Sequence, residues 1–174
     1  MTTPRQRRRS DQDQGQLSWC CIPSPIGPLV VVSSDRGLSR VVVGEGAAGS
    51  LGRWAARHFP GAELVESASR NQASIGELNR YFDRTLERFE SPLDLKGSDF
   101  QLRVWTELRK IPYGSTITYG ELARRIGSPQ AQQAVGRASA AKPVPIVVPC
   151  HRVLGSGNRV GGFAAGIAVK EYLL

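Results

Sequence analysis

Pro143-Val144-Pro145-Ile146-Val147-Val148-Pro149-Cys150-His151-Arg152-Val153 is apolar, β-branched and punctuated by three prolines before its thiol. Proline fixes φ, lacks an N–H and disfavours the α region for the residue before it, so an extended run is expected and not a helix. A thiol and an imidazole close the run. Only the thiolate is a strong nucleophile, and an imidazole is suited to take its proton. Neighbouring side chains on a strand point to opposite faces. Cys150 and His151 therefore cooperate only if the backbone turns between them or a water bridges them. The competing reading is a buried, inert cysteine at a strand end.

Working outward, the residues after Gly97 are helical. Ser98-Asp99-Phe100-Gln101 fits a capping box, with Phe100, Val104, Leu108 and Ile111 on one face. Ile111-Pro112-Tyr113-Gly114 stops that helix. Thr118-Tyr119-Gly120-Glu121 fits a second capping box, opening a short helix to Ile126 with Gly127 as its C-terminal cap. Ser128 is expected to cap a third helix, with Pro129 in its first turn and its end near Ala141. Two short helices across a tight Gly-Ser turn form a helix-turn-helix candidate. Ala131, Ala134, Gly136, Ala138, Ala140 and Ala141 make the second helix slim. Small side chains suit close approach to a groove, or tight packing onto the Pro-rich run.

The first half is different. Residues 19–43 are strand-rich, with turn signals at Pro25-Ile26-Gly27-Pro28 and Asp35-Arg36-Gly37 between apolar runs at 29–32 and 38–43. Cys20 and Cys21 are adjacent, a poor disulfide pair without zinc spacing, and read as strand residues. Leu51, Trp54, Ala55 and His58 have helical spacing, and His58 is read as a helix-face residue without a catalytic role. Ile75, Leu78, Phe82 and Leu86 predict a second amphipathic helix. Residues 91–97 read as a linker. The expected fold is α+β: a small N-terminal sheet-plus-helix domain, 16–92, and a mainly helical C-terminal domain, 93–174. Residues 1–15, with Arg7-Arg8-Arg9, read as a disordered basic arm.

A chain of 174 residues with 40% hydrophobic content can build a core. No apolar run reaches membrane-spanning length, and no apolar segment follows the N-terminal arginines as in a secretory signal. Three cysteines without a framework argue for a reducing compartment. The net charge of +8 is unevenly placed. Residues 16–92 carry eight Arg against eight acids, whereas residues 93–174 carry eleven Lys and Arg against five acids. A basic half beside a neutral half points to an anionic partner, nucleic acid first.

Pro149-Cys150-His151-Arg152-Val153 resembles the active-site signature of the O6-alkylguanine–DNA alkyltransferases, or methylated-DNA–protein-cysteine methyltransferases. Phe100-Gln101 with Val104-Trp105, Ile111-Pro112-Tyr113-Gly114, Thr118 to Ala123, Ala134-Val135-Gly136 and Lys170-Glu171-Tyr172-Leu173-Leu174 resemble that family in the same order. The resemblance implies that Cys150 displaces the alkyl group from O6 of a guanine flipped out of double-stranded DNA, once and irreversibly. It implies no cofactor, no metal and no membrane, and a monomer is expected. Some members carry a structural zinc in the first half, but no ligand pattern for it is present here. The expected compartment is the cytoplasm, with the nucleoid for a bacterial protein or the nucleus for a eukaryotic one.

Roles carry over by position. Cys150 is the nucleophile, His151 lowers its pKa through a water, and Tyr119 lies near the flipped base and its 3′ phosphate. Val153 and Ala164 present backbone groups to the base, and Phe163 occupies a pocket position that is often Tyr. Gly120, Ser128 and Ser156 match positions on the DNA backbone. The family places the slim helix in the minor groove, and a narrow groove favours such a helix.

Three departures stand out. Gln133 occupies the place of an Arg that fills the space left by the flipped base, and Arg137, one turn later, is a candidate to supply the charge. Lys142 replaces an Asn that braces the active-site turn; a cation there favours thiolate. The carboxylate that orients the histidine lies three residues beyond the Lys170-to-Leu174 run, and this sequence stops at Leu174. Either the sequence is truncated or the histidine works without its orienter; Glu171 belongs to the run and is not given that role. Two rival functions follow: a non-catalytic lesion binder, against which Cys150 argues, and a Cys-His hydrolase, which would not need a basic half.

Overall fold

The computed structural model describes residues 15–174, so the arm expected over 1–15 lies outside the described residues except for Gly15. The fold is α+β, as expected. A four-stranded sheet has the order β3-β2-β1-β4, formed by β1 (Gln16–Ile22), β2 (Leu29–Ser34), β3 (Gly37–Val43) and β4 (Glu63–Glu66). The first three strands form an antiparallel meander, and β4 returns parallel to β1.

Strand β2 explains the layering. Val30 and Val32 face a cluster with Leu17 and with Leu51, Trp54 and Ala55 of helix α1 (Leu51–His58). Leu29 and Val31, on the alternate face, enter a second cluster with Leu78 and Tyr81 of helix α2 (Gln72–Phe82). Helix α2 ends at Phe82, so Leu86 lies beyond it. Arg84, at φ 59°, turns the chain, and the Thr85 and Leu86 N–H groups donate to the Arg80 carbonyl.

The second cluster runs on into the other half. It includes Val104, Trp105 and Leu108 of α3 (Asp99–Leu108), Leu122 of α4 (Tyr119–Arg125), Val135 of α5 (Gln132–Ala140), and Val144, Ile146, Val147, Val148 and Cys150. Each such buried Leu or Val contributes about 1.5–3 kcal/mol relative to exposure. Residues 91–97 are not a free linker. The Leu38 N–H donates to the Pro92 carbonyl at 2.8 Å, and the Asp94 N–H donates to the Leu38 carbonyl at 3.0 Å. Gly37 makes this stitch possible, because a Cβ there would lie 2.2 Å from the Pro92 oxygen.

Local signals explain the starts of α3 and α4 and the end of α4. Ser98 and Gln101 form the complete capping box of α3. Thr118 caps α4 by accepting the Glu121 N–H at 3.1 Å, but the Glu121 side chain pairs with Arg125 instead of closing a second box. Gly127, at φ 72°, ends the helix as expected. Helix α5 starts later than Ser128. The Ala131 N–H donates to the Ser128 carbonyl in a separate turn, and the helix begins at Gln132. Two short strands, β5 (Ile117–Thr118) and β6 (Val153–Leu154), pair in parallel, and α6 (Ile167–Leu173) closes the chain.

Candidate active site and nucleic-acid interface

The Pro-rich run is not extended throughout. A bridge joins Pro145 to Val148 across a turn, in which Ile146 takes φ 75°. A β-branched residue there is strained by about 1–3 kcal/mol. The surrounding cluster holds it, and the Val41 N–H of β3 donates to the Pro143 carbonyl at 2.9 Å. Cys150, His151 and Arg152 then form a single 3-10 turn. The backbone turns between the thiol and the imidazole, but the imidazole's hydrogen-bond partner is Tyr81 and not Cys150.

Cys150 and His151 are both buried. Burial pushes the Cys150 thiol above its ordinary range. Lys142 opposes this by charge and by a side-chain hydrogen bond, and Lys170 opposes it by charge. Lys142 is itself buried and lies over the Phe163 ring, 5.3 Å from its centroid. Burial, then the charges of Arg152, Lys142 and Lys170, lower the His151 pKa to about 3, so its imidazole is neutral at physiological pH. Its Nε2 meets the Tyr81 hydroxyl at 3.2 Å, while Nδ1 is buried without a hydrogen-bond partner.

Tyr119 is half-buried at the start of α4. Burial raises its phenol pKa, with a smaller contribution from Cys150. Tyr119, Gly120, Gln133 and Ser156 line one groove of about 440 Å³. Lys142, Phe163 and Ala164 line a separate cavity of about 310 Å³. Ser128 and Arg137 line neither; Arg137 is exposed on α5. Val153 is buried in β6, and its carbonyl, expected to face the base, accepts a hydrogen bond from Lys170 Nζ at 2.7 Å. No group of three or more His, Cys, Asp or Glu is placed to hold a metal among the described residues.

Three contributors escaped sequence reasoning. Tyr81 is the imidazole's partner, and its only sequence signal is its place three residues after Leu78 on the buried stripe of α2. Arg152 is buried; it donates to the Ile111 carbonyl at 2.8 Å and reaches the Tyr81 hydroxyl at 3.4 Å. Lys170 is fully buried, though a lysine in a short helix normally signals solvent. Trp105 secures the wall of the groove, its indole N–H donating to the Ala138 carbonyl of α5 at 2.8 Å.

A slim helix beside a tight turn, backed by a buried thiol among cations, is the make-up of a nucleic-acid-binding domain with a reactive cysteine. Residues 99–174 match the family model described as 6-O-methylguanine DNA methyltransferase, DNA binding domain. The chain is 39% identical over 160 residues to a methylated-DNA–protein-cysteine methyltransferase of Methanosarcina acetivorans, covering 91% of this chain and 96% of that one. It is 40% identical over 159 residues to the protein of that name from Mycobacterium tuberculosis, covering 91% and 90%. A crystal structure of Mycobacterium tuberculosis OGT in complex with DNA superposes with TM-score 0.79 at 37% identity, covering 90% of each chain. The chain belongs to the methylated-DNA–protein-cysteine methyltransferase family.

Proposed function

We propose that this protein repairs DNA directly, by moving an alkyl group from O6 of guanine in a duplex to its own Cys150. The observation that carries this reading is the buried thiol held in a 3-10 turn, in the same domain as a groove that Tyr119 heads with Gly120, Gln133 and Ser156. The thiolate sulfur attacks the alkyl carbon. The S–C bond forms as the C–O6 bond breaks, and the guanine takes up a proton. A thioether has no easy return, so each molecule acts once. Lys142 and Lys170 stabilise the thiolate. Tyr119 is placed to hydrogen-bond the base, whose flipping costs a few kcal/mol that phosphate contacts offset. His151, neutral and tethered by Tyr81, orients the turn and offers Nδ1 to a bridging water.

Gly120, Gln133 and Ser156 meet the DNA along the groove, while Arg137 and Ser128 lie outside its lining and act through phosphates. The units 16–92 and 93–174 divide the labour, the second holding the DNA-binding surface and the thiol. No helix among the described residues is long and apolar enough to cross a membrane. A DNA substrate favours a setting in the cytoplasm, at the nucleoid of a bacterium or in the nucleus of a eukaryote, and the protein is read as a monomer.

The test is intact-protein mass after incubation with excess duplex carrying one O6-methylguanine, followed by peptide mapping. One added methyl on the peptide containing Cys150, with no second turnover, is expected. Damage-selective binding without any mass change would move the assignment to a lesion binder.

A further inference from the structure

Tyr81, His151 and Arg152 meet in the interior, only 5%, 0% and 7% exposed, so their polar atoms must find partners in one another. The Tyr81 hydroxyl has two such neighbours: Nε2 of His151 at 3.2 Å and Nη2 of Arg152 at 3.4 Å. A guanidinium only donates, so the phenolic oxygen accepts from Arg152. The guanidinium is itself fixed from its other side, Nη1 donating to the Ile111 carbonyl at 2.8 Å. Burial raises the Tyr81 pKa, against a smaller opposing effect of Arg152, so the hydroxyl keeps a proton to give.

The two tautomers of a neutral imidazole fare differently here. With the proton on Nε2, the ring and the guanidinium both donate to the phenolic oxygen. The hydroxyl proton then has no acceptor among the described residues, and Nδ1 is an acceptor without a donor. With the proton on Nδ1, the phenol accepts from Arg152 and donates to Nε2, and only the Nδ1–H is unmet. The second arrangement orphans one buried polar group where the first orphans two, and every orphaned group costs its desolvation.

Resting on the alkyl-transfer reading, we propose that Tyr81, aimed by Arg152, is a positioning residue that holds His151 in its Nδ1–H tautomer. The imidazole then serves Cys150 as a hydrogen-bond donor, through a bridging water, and not as the base that takes the thiol's proton. Cys150 and His151 are consecutive in one buried 3-10 turn, and the Nδ1–H is the one ring group left for that water. A donor there stabilises a thiolate. A nitrogen that already carries a proton cannot accept another, and Nε2, the basic nitrogen, is taken by the phenol. The charges of Arg152, Lys142 and Lys170 also oppose a second proton on the ring. The reaction balances without one: the thiol releases its proton to water, S–C forms as C–O6 breaks, and the departing guanine takes up a proton.

The tautomer is read directly from long-range proton–nitrogen correlation spectra of the isotope-labelled full chain, which distinguish a protonated ring nitrogen from a bare one. The chain has two histidines, and His58→Gln assigns their signals. At neutral pH, His151 is expected with a protonated Nδ1 and a bare Nε2. A bare Nδ1 with a protonated Nε2, or a ring protonated on both nitrogens, overturns the proposal and leaves the repair reading standing.

Tyr81→Phe tests the positioning role. The Nε2–H form should appear in its spectrum. Single-turnover methyl transfer should slow by about three- to tenfold near neutral pH, the worth of one hydrogen bond. The rate–pH profile should move to higher pH, with the gap closing where the thiolate is fully formed. An unchanged tautomer, or an undisplaced profile of lower height, overturns the proposal and makes Tyr81 a structural support. Absence of methyl transfer in the wild type overturns the repair reading instead, and the two failures are distinguishable because the wild-type spectrum is taken without DNA.

Discussion

The hydroxyl of Tyr81 meets Nε2 of His151 at 3.2 Å across seventy residues of sequence, so the imidazole next to the nucleophile is tethered by the N-terminal half. Arg152 reaches the same hydroxyl at 3.4 Å, and a single phenol therefore braces two consecutive residues of the Cys150 turn. Tyr81→Phe leaves the ring's packing against Phe89 in place but removes both contacts. Because His151 is fully buried, the lost partner is not replaced by bulk water. Stability should fall by about 1–3 kcal/mol in urea unfolding, and methyl transfer should slow. Unchanged values for both would mean that the tether carries no energy.

His151 also makes stability depend on pH. Its folded pKa is about 3, against an ordinary value of 6.5. The unfolded chain therefore binds the extra proton between these values, and stability must rise with pH across that window. The contribution is complete above pH 6.5 and is lost as pH falls toward 3. Its slope is about 1.4 kcal/mol per pH unit. Unfolding free energies for wild type and His151→Asn between about pH 4 and 7 should differ by that slope, with the variant flatter. Parallel curves would show that the imidazole is not buried in its neutral form.

Much of this is legible in the sequence, and what is not shares a cause. The Ser98 capping box, the Gly127 cap and the adjacent thiol and imidazole are local signals, decided by residues within one turn of each other. Tyr81, Arg152 and Lys170 act through contacts 17 to 71 residues apart, which no periodicity records. The turn at Ile146 is hidden because proline and β-branched residues argue for extension, and only the enclosing core makes a positive φ tolerable there. Residues 91–97 resemble a linker because backbone hydrogen bonding to β3 leaves no trace in side-chain pattern. Tyr119, Gly120, Gln133 and Ser156, distant in sequence, line one groove. Arg137 and Ser128 stand outside that groove.

That separation gives Gln133 and Arg137 different expected phenotypes. Gln133 lines the groove, so Gln133→Ala should weaken binding to alkylated duplex more than to undamaged duplex. Arg137 is exposed on α5 outside the groove. Arg137→Ala should weaken both duplexes alike and flatten the salt dependence by about one counterion. Fluorescence anisotropy titrations at several salt concentrations distinguish the two. A lesion-selective loss in Arg137→Ala would instead place that guanidinium in the space left by the base, while a loss confined to Gln133→Ala would remove Arg137 from the interface.

The position of α5 depends on Trp105. Replacing it with Phe removes the donor to the Ala138 carbonyl and leaves a void in the core. The combined cost should be about 2–4 kcal/mol. DNA affinity should fall as well, although the buried indole is not part of the groove. Affinity preserved at full folded fraction would show that α5 is held by its other contacts alone.

Lys170 tests the electrostatics of the thiol separately from its surroundings. Its charge lowers the Cys150 pKa, as does the larger effect of Lys142, against the desolvation that raises it. In Lys170→Met a side chain of similar length fills the space without the charge, so the Cys150 pKa must move further up. At any pH below that pKa a smaller fraction of the thiol is then ionised, and the rate of methyl transfer falls in proportion. At pH values above the pKa the thiolate is fully formed in both proteins, and the difference should close. Loss of the hydrogen bond to the Val153 carbonyl acts otherwise, because a misplaced turn lowers the rate at every pH. Single-turnover rates against pH therefore separate the two roles: a profile displaced to higher pH identifies the lysine as the thiolate's counter-charge, whereas an undisplaced profile of lower height reduces it to a structural prop.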